Sequence, residues 1–122
     1  MGRLNDEFLQ RTKGYASAIV RLFTLLPKNR EEVRVIGRQA LRSGTSVAAH
    51  TREANRARSS AEFISKLGGG LQEADETILW LELLREDCGI DEKFTRPLES
   101  ESSELIAIIT TIINRVRRKE SV

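Results

Sequence analysis

The chain has 122 residues, 39% apolar and 31% charged, a balance that suits one folded domain and excludes both a disordered chain and a membrane-embedded one. Two prolines and 5% aromatics argue against an all-β fold, and a net charge of +2 leaves any nucleic-acid case to depend on where the basic residues sit. The single cysteine excludes an internal disulfide framework and points to a reducing compartment; the single histidine removes most His-based metal and catalytic sites.

The periodicity predicts four helices, at about residues 5–26, 30–57, 60–88 and 97–119. In the first, Phe8, Thr12, Tyr15, Ala16, Ile19, Val20, Phe23 and Leu26 recur every three or four positions, and Pro27 stops the helix. The second opens at Asn29, a capping residue followed by Glu32 in a box-like pair. Its stripe runs from Val33 through Ile36, Ala40, Gly44, Val47 and Thr51 to Ala54. The third opens on the capping pair Ser59 and Glu62 and carries Phe63, Leu67, Leu71, Ala74, Ile78, Leu81 and Arg85 along one face. It closes at Cys88-Gly89, where glycine suits the left-handed position. Residues Ile90 to Arg96 read as a loop, and Pro97 suits the first turn of the fourth helix. That helix has Glu99, Glu101 and Glu104 near its start and Arg115, Arg117, Arg118 and Lys119 near its end, as the helix dipole favours. Short connections make the four helices an all-α, up-down-up-down antiparallel four-helix bundle in a single domain.

The opening Met1-Gly2-Arg3-Leu4-Asn5-Asp6-Glu7 lacks a signal peptide's apolar run, and Asp6 stands where myristoylation wants Ser or Thr. The apolar stretch Leu105 to Ile113 falls far short of the ~20 residues of a membrane span. A soluble cytoplasmic protein, with no membrane partner, is expected. Helices 3 and 4 carry apolar residues beyond one stripe, among them Leu79, Trp80, Leu83, Ile106, Ile108 and Ile112, so a homo-oligomer is expected.

Pairing helices 2 and 3 as a hairpin about residue 59 sets Gly69 and Gly70 near Ala48 and Ala49, and Gly44 near Ala74. Each helical glycine costs about 1 kcal/mol relative to alanine, so the run Gly68-Gly69-Gly70 calls for compensation. Close packing of Gly44, Ala48, Gly69 and Gly70 would supply it. The alternative is a hinge or a phosphate-facing notch, and no P-loop spacing supports the notch. The same pairing brings Arg42 level with Glu76, and Arg34 with Glu82 or Glu86; with Arg38 these form a ladder of ion pairs, or else a free basic stripe. Fewer acids neighbour Arg3, Arg11, Lys13, Arg21 and Lys28 on helix 1 and its ends, or Arg115, Arg117, Arg118 and Lys119 on helix 4. Of these, Arg11, Lys13, Arg21, Arg115, Arg117, Arg118 and Lys119 are the candidate phosphate-binding set, against an ordinary role as solubility charge. His50 with Glu53 lacks the further ligands a metal centre needs, and Cys88 has no catalytic histidine near it in sequence. No metal or cofactor is expected, and no nucleophile, base and orienter can be assembled into an enzyme site.

Several motifs agree with one family. They are Arg42-Ser43-Gly44-Thr45-Ser46-Val47, Arg52-Glu53-Ala54, Ser60-Ala61-Glu62-Phe63-Ile64, Glu73-Ala74-Asp75-Glu76-Thr77 and Trp80-Leu81-Glu82-Leu83-Leu84. In order and spacing the chain resembles the bacterial four-helix-bundle family first met as proteins encoded in intervening sequences of 23S ribosomal RNA. It departs from the pattern at His50-Thr51 and at Gly68-Gly69-Gly70. The resemblance implies a four-helix bundle and a ring-shaped homopentamer. Similar accessory variability proteins of diversity-generating retroelements are basic pentamers that bind nucleic acid and a reverse transcriptase. The expected function is non-enzymatic, electrostatic binding of RNA or DNA, possible alongside a protein partner; the alternative is a structural or protein-interaction adaptor with no nucleic-acid role.

Overall fold

The computed structural model describes residues 2–121 and holds four helices: α1 (Asp6–Leu25), α2 (Glu31–Asn55), α3 (Ser60–Glu86) and α4 (Glu92–Glu120). Consecutive helices pack against each other, most extensively α2 with α3, then α3 with α4 and α1 with α2; α1 touches α4 only briefly. No strand occurs among the described residues.

Local chemistry sets the helix ends. The Asn5 side chain accepts from the Phe8 N–H, and Ser59 accepts from the Glu62 N–H, each satisfying a donor the first turn leaves free. Gly89 closes the α3 end with φ 70°. Two expected ends differ. Asn29 does not cap α2: Arg30 holds the capping position without a side-chain bond, and its guanidinium instead binds Glu32 at 2.8 Å and the Cys88 carbonyl at 2.8 Å. α4 starts at Glu92 rather than Pro97, because Asp91 accepts from the Lys93 N–H and the first turns bury Thr95 and Leu98. Pro97 then sits inside the helix, where its missing N–H costs one bond to the Lys93 carbonyl; both residues are exposed.

The core is one cluster running the length of the bundle, with Ile19, Val33, Val47, Leu67, Leu81, Leu84, Leu105 and Ile109 all but fully buried. On α1 the buried stripe is Phe8, Thr12, Tyr15, Ile19 and Leu22, and Leu26 continues it into the loop. Leu22 takes the place expected for Val20, which is 43% exposed, since position 22 continues the 15–19 face and position 20 turns about 100° away from 19. The surplus apolar side chains Ile106, Ile108, Ile112 and Val116 of α4 pack half-buried against the core; on α3, Trp80 and Leu83 are half-buried and Leu79 is exposed.

Hydroxyl pairs cross the core between helices. Ser43 and Thr77 meet at 2.7 Å, Thr12 and Thr51 at 3.0 Å, and Tyr15 reaches Ser102. Thr77 gives its proton to the Glu73 carbonyl, so Ser43 is the donor between them. Ser102 likewise donates to the Leu98 carbonyl, which makes Tyr15 the donor to Ser102. Burial raises the Tyr15 hydroxyl above its ordinary pKa and keeps it protonated for this role.

Candidate nucleic-acid interface

The N-terminal segment, the α2–α3 loop and the end of α4 meet at one end of the bundle. The Arg3 N–H donates to the Asn55 carbonyl at 3.2 Å, and the Leu4 N–H to the Asn55 side chain at 2.8 Å. Arg3 Nε donates to the Ala57 carbonyl at 2.9 Å, and its guanidinium lies 5.9 Å from the centre of the Phe63 ring. This strap holds Arg3 beside an open cleft of about 380 Å³ whose rim includes Arg115, Lys119 and Glu120 and whose wall includes Phe63 and Ile112.

Arg115, Arg117, Arg118 and Lys119 are exposed on the last turns of α4, and none makes an ion pair among the described residues. The partial negative charge of the helix end favours their position without neutralising them. Arg52 and Arg56, at the end of α2, are also exposed and unpaired among these residues. Sequence spacing places them only as an extension of the α2 stripe; the hairpin carries them to the α4 terminus.

Other candidates are dispersed. Arg11 is not free: it binds Glu101 through two bonds of 2.8 Å and Glu104 at 3.3 Å, and its guanidinium is raised above the ordinary arginine range chiefly by the bond to Glu101. Its charge is therefore already compensated. Lys13 and Arg21 are exposed on α1 without ion-pair partners among the described residues.

The α2–α3 ladder is shorter than expected. Arg42 reaches Glu73 at 3.1 Å and Glu76 at 3.6 Å. Glu76 is raised above its ordinary range, first by its contact with Glu73, so one arginine serves two crowded carboxyls. Arg34 pairs within its own helix, with Glu31 at 3.3 Å, rather than with Glu82 or Glu86. Glu86 contacts Arg85 at 3.5 Å, and neither Arg38 nor Glu82 forms an ion pair among the described residues. The well-made pair on this side is Arg85 with Glu99, two bonds of 3.0 Å between side chains only 16% and 11% exposed. Its sequence signal is a charged residue at a core-facing position of helix 3, which demands a partner on the next helix.

The glycines divide similarly. A Cβ at Gly69 would stand 2.7 Å from the His50 ring, and one at Gly70 3.3 Å from His50 Cβ and 3.8 Å from the Val47 carbonyl, so both face α2 closely. Gly68 faces open space. A Cβ at Gly44 would stand 2.8 Å from the Ile19 side chain, so Gly44 also gives α1 a close approach to α2, and Ala48 is half-buried. No group of three or more His, Cys, Asp or Glu side chains is placed to hold a metal ion among the described residues. Burial raises the Cys88 thiol above its ordinary pKa.

Four helices packed in chain order around one core crossed by hydroxyl pairs define an all-α four-helix bundle as the class. The chain belongs to the 23S rRNA-intervening sequence protein family, whose pattern matches residues 5–111. A crystal structure of a protein of unknown function from the S23 ribosomal protein family of Bacteroides thetaiotaomicron is 38% identical and superposes with a TM-score of 0.79, covering 86% of this chain and 96% of that one. No curated protein matches the chain. No helix among the described residues is long and apolar enough to cross a membrane.

Proposed function

We propose that this is a non-catalytic protein that binds the phosphate backbone of RNA or DNA through the basic end of the bundle. The observation that supports this is the gathering of Arg3, Arg115 and Lys119 around one open cleft beside Glu120, with Arg117 and Arg118 exposed on the same last turns of α4 and no carboxylate paired to any of the five cations among the described residues. Unpaired cations keep their full charge for phosphates, and each phosphate contact releases counterions. The α2 arginine nearest the bundle middle, Arg42, spends its charge on Glu73 and Glu76 and contributes little. Phe63 is 3% exposed and presents no stacking platform, so recognition follows the backbone rather than the bases. Assembly as a homo-oligomer, a pentamer by family resemblance, would repeat the basic end around an axis and raise avidity without new contacts. A reducing cytoplasm is the setting that fits a lone buried thiol.

The test is a fluorescence-anisotropy titration of labelled RNA and DNA at two salt concentrations, with wild type and the double variant Arg117→Glu/Arg118→Glu. Affinity should fall steeply with salt, and the variant should bind more weakly with a log–log salt slope shallower by about 2. Absence of binding at about 50 mM salt would refute the reading and leave the adaptor role.

A further inference from the structure

The opposite end of the bundle carries a second surface of different chemistry. There, α1 runs into Leu26 and Pro27 and turns back into α2. Phe23, Leu26, Pro27 and Val33 wall a pit of about 350 Å³, and its rim is formed by Lys28, Arg34 and Arg38. Gly37 explains why the pit exists. A Cβ there would stand 2.8 Å from the Leu26 side chain and 3.6 Å from the Phe23 ring, so both side chains rest on bare helix backbone and leave the space above them open. All three cations are exposed; Arg34 has only the solvent-exposed Glu31, and Lys28 and Arg38 have no carboxylate among the described residues. No acidic side chain lines the pit. Val35, one helical turn before Arg38, is 46% exposed, and Leu25, just outside the pit, is 66% exposed.

An apolar floor inside a rim of one sign is a mixed signal that few ligands answer. A nucleic-acid backbone would use the cations and gain nothing from the floor. An apolar protein face would use the floor and leave the cations unpaired. We infer that this pit docks an acidic segment of a partner protein, one bulky apolar side chain entering between Phe23 and Val33 while flanking carboxylates meet Lys28, Arg34 and Arg38. The apolar anchor supplies affinity by leaving water, and the carboxylates set orientation and association rate. The volume lies at the small end of ligand pockets and takes an anchor of Leu or Phe size. This surface lies at the other end of the molecule from the phosphate-binding cleft and does not depend on that reading.

The probe is a labelled peptide, Asp-Glu-Asp-Leu-Phe-Glu-Asp-Glu, with a control in which Ser-Ser replaces Leu-Phe. Anisotropy titrations of the full chain should show the first peptide binding and the control at least about tenfold weaker. Lys28→Glu/Arg38→Glu changes exposed residues only, so circular dichroism should match wild type while affinity for the first peptide falls by about tenfold or more. Amide shifts on adding unlabelled peptide should centre on Phe23, Val33 and Arg38. Equal binding of the two peptides, no binding up to about 1 mM, or full affinity of the double variant would each overturn the proposal. It would also be overturned if the double variant changed the sedimentation behaviour of the free protein, since a second copy would then be the occupant. Displacement of the peptide by an oligonucleotide that shifts the same amides would make the pit a phosphate site and overturn it equally.

Discussion

Replacing Gly68, Gly69 and Gly70 one at a time probes how closely α2 and α3 approach. All three pay the same backbone penalty, so alanine should gain about 1 kcal/mol at each if nothing else intervened. The surroundings differ. At Gly68 a Cβ meets nothing within 4 Å, and the gain should appear in full, raising Tm by roughly 4 °C for a domain of this size. At Gly70 the new methyl must settle 3.3 Å from His50 Cβ, an atom tied to the α2 backbone, which should cancel most of the gain. At Gly69 it would stand 2.7 Å from the His50 ring, which has to swing away; alanine should end within about 1 kcal/mol of wild type, and leucine should lose about 1–3 kcal/mol by overpacking. Urea denaturation measures all four variants; Gly68→Ala should be the most stable and Gly69→Leu the least, with Gly70→Ala and Gly69→Ala between them. A His50→Ala background should restore the full alanine gain at Gly69, because the obstructing ring is gone. Equal stabilisation by the three alanines, or a stabilising Gly69→Leu, would refute the close approach.

Gly44→Val drives new atoms into Ile19, a branched side chain 1% exposed with no room to retreat, and should lower stability by about 1–3 kcal/mol in thermal melts. The Arg85 hydrogen bonds hold the Glu99 carboxyl below its ordinary pKa of 4.5. Since the folded state has the lower value, this carboxylate adds stability above that pH and loses it as pH falls through the lowered value. Glu99→Gln should therefore flatten the acid limb of Tm against pH, and an unchanged limb would show that the pair does not govern it. Arg117→Glu/Arg118→Glu should weaken nucleic-acid binding in the anisotropy assay while leaving the melting curve unchanged, because neither side chain packs in the core. Arg38→Glu should likewise leave stability unchanged by urea denaturation, since no α3 carboxylate depends on Arg38.

The repeating spacing of apolar residues made the four helices and the α2–α3 register legible, because burial on a helix leaves a period in the sequence. The register is visible in Arg42 beside Glu76 and Ser43 beside Thr77. What periodicity does not carry is rotation about each helix axis. Spacing alone therefore sets Arg34 opposite α3, though among the described residues it pairs with Glu31 alone, and gives no sign that the open face of Gly44 receives Ile19 of α1. Contacts between helices distant in sequence leave still less trace. Arg11 reads as a free cation until α4 brings Glu101 beside it, and Arg85 finds Glu99 only once the chain has turned past Gly89. Proline misplaced the start of α4: Pro97 suits a first turn, but Asp91 supplies a cap and Thr95 and Leu98 supply burial upstream of it or beside it. The basic end was legible in part, since Arg115, Arg117, Arg118 and Lys119 cluster in sequence while Arg3 joins them only through its bonds to Asn55 and Ala57.

The uneven seams of the bundle set how the molecule comes apart. α1 lies along α2 but touches α4 only briefly, and the side-chain bonds across that seam are the Arg11 bridge to Glu101 and Glu104 and the Tyr15 bond to Ser102. α2, α3 and α4 share the two largest interfaces and keep them if α1 lifts away. The first helix is thus a separable unit of lower stability, opening as a flap from a three-helix remainder at less cost than global unfolding. Its amides should exchange with solvent ahead of those of α3. The opening would bare Ile19 and the face of Gly44 that receives it, making α1 the element most readily exchanged between two copies of the chain.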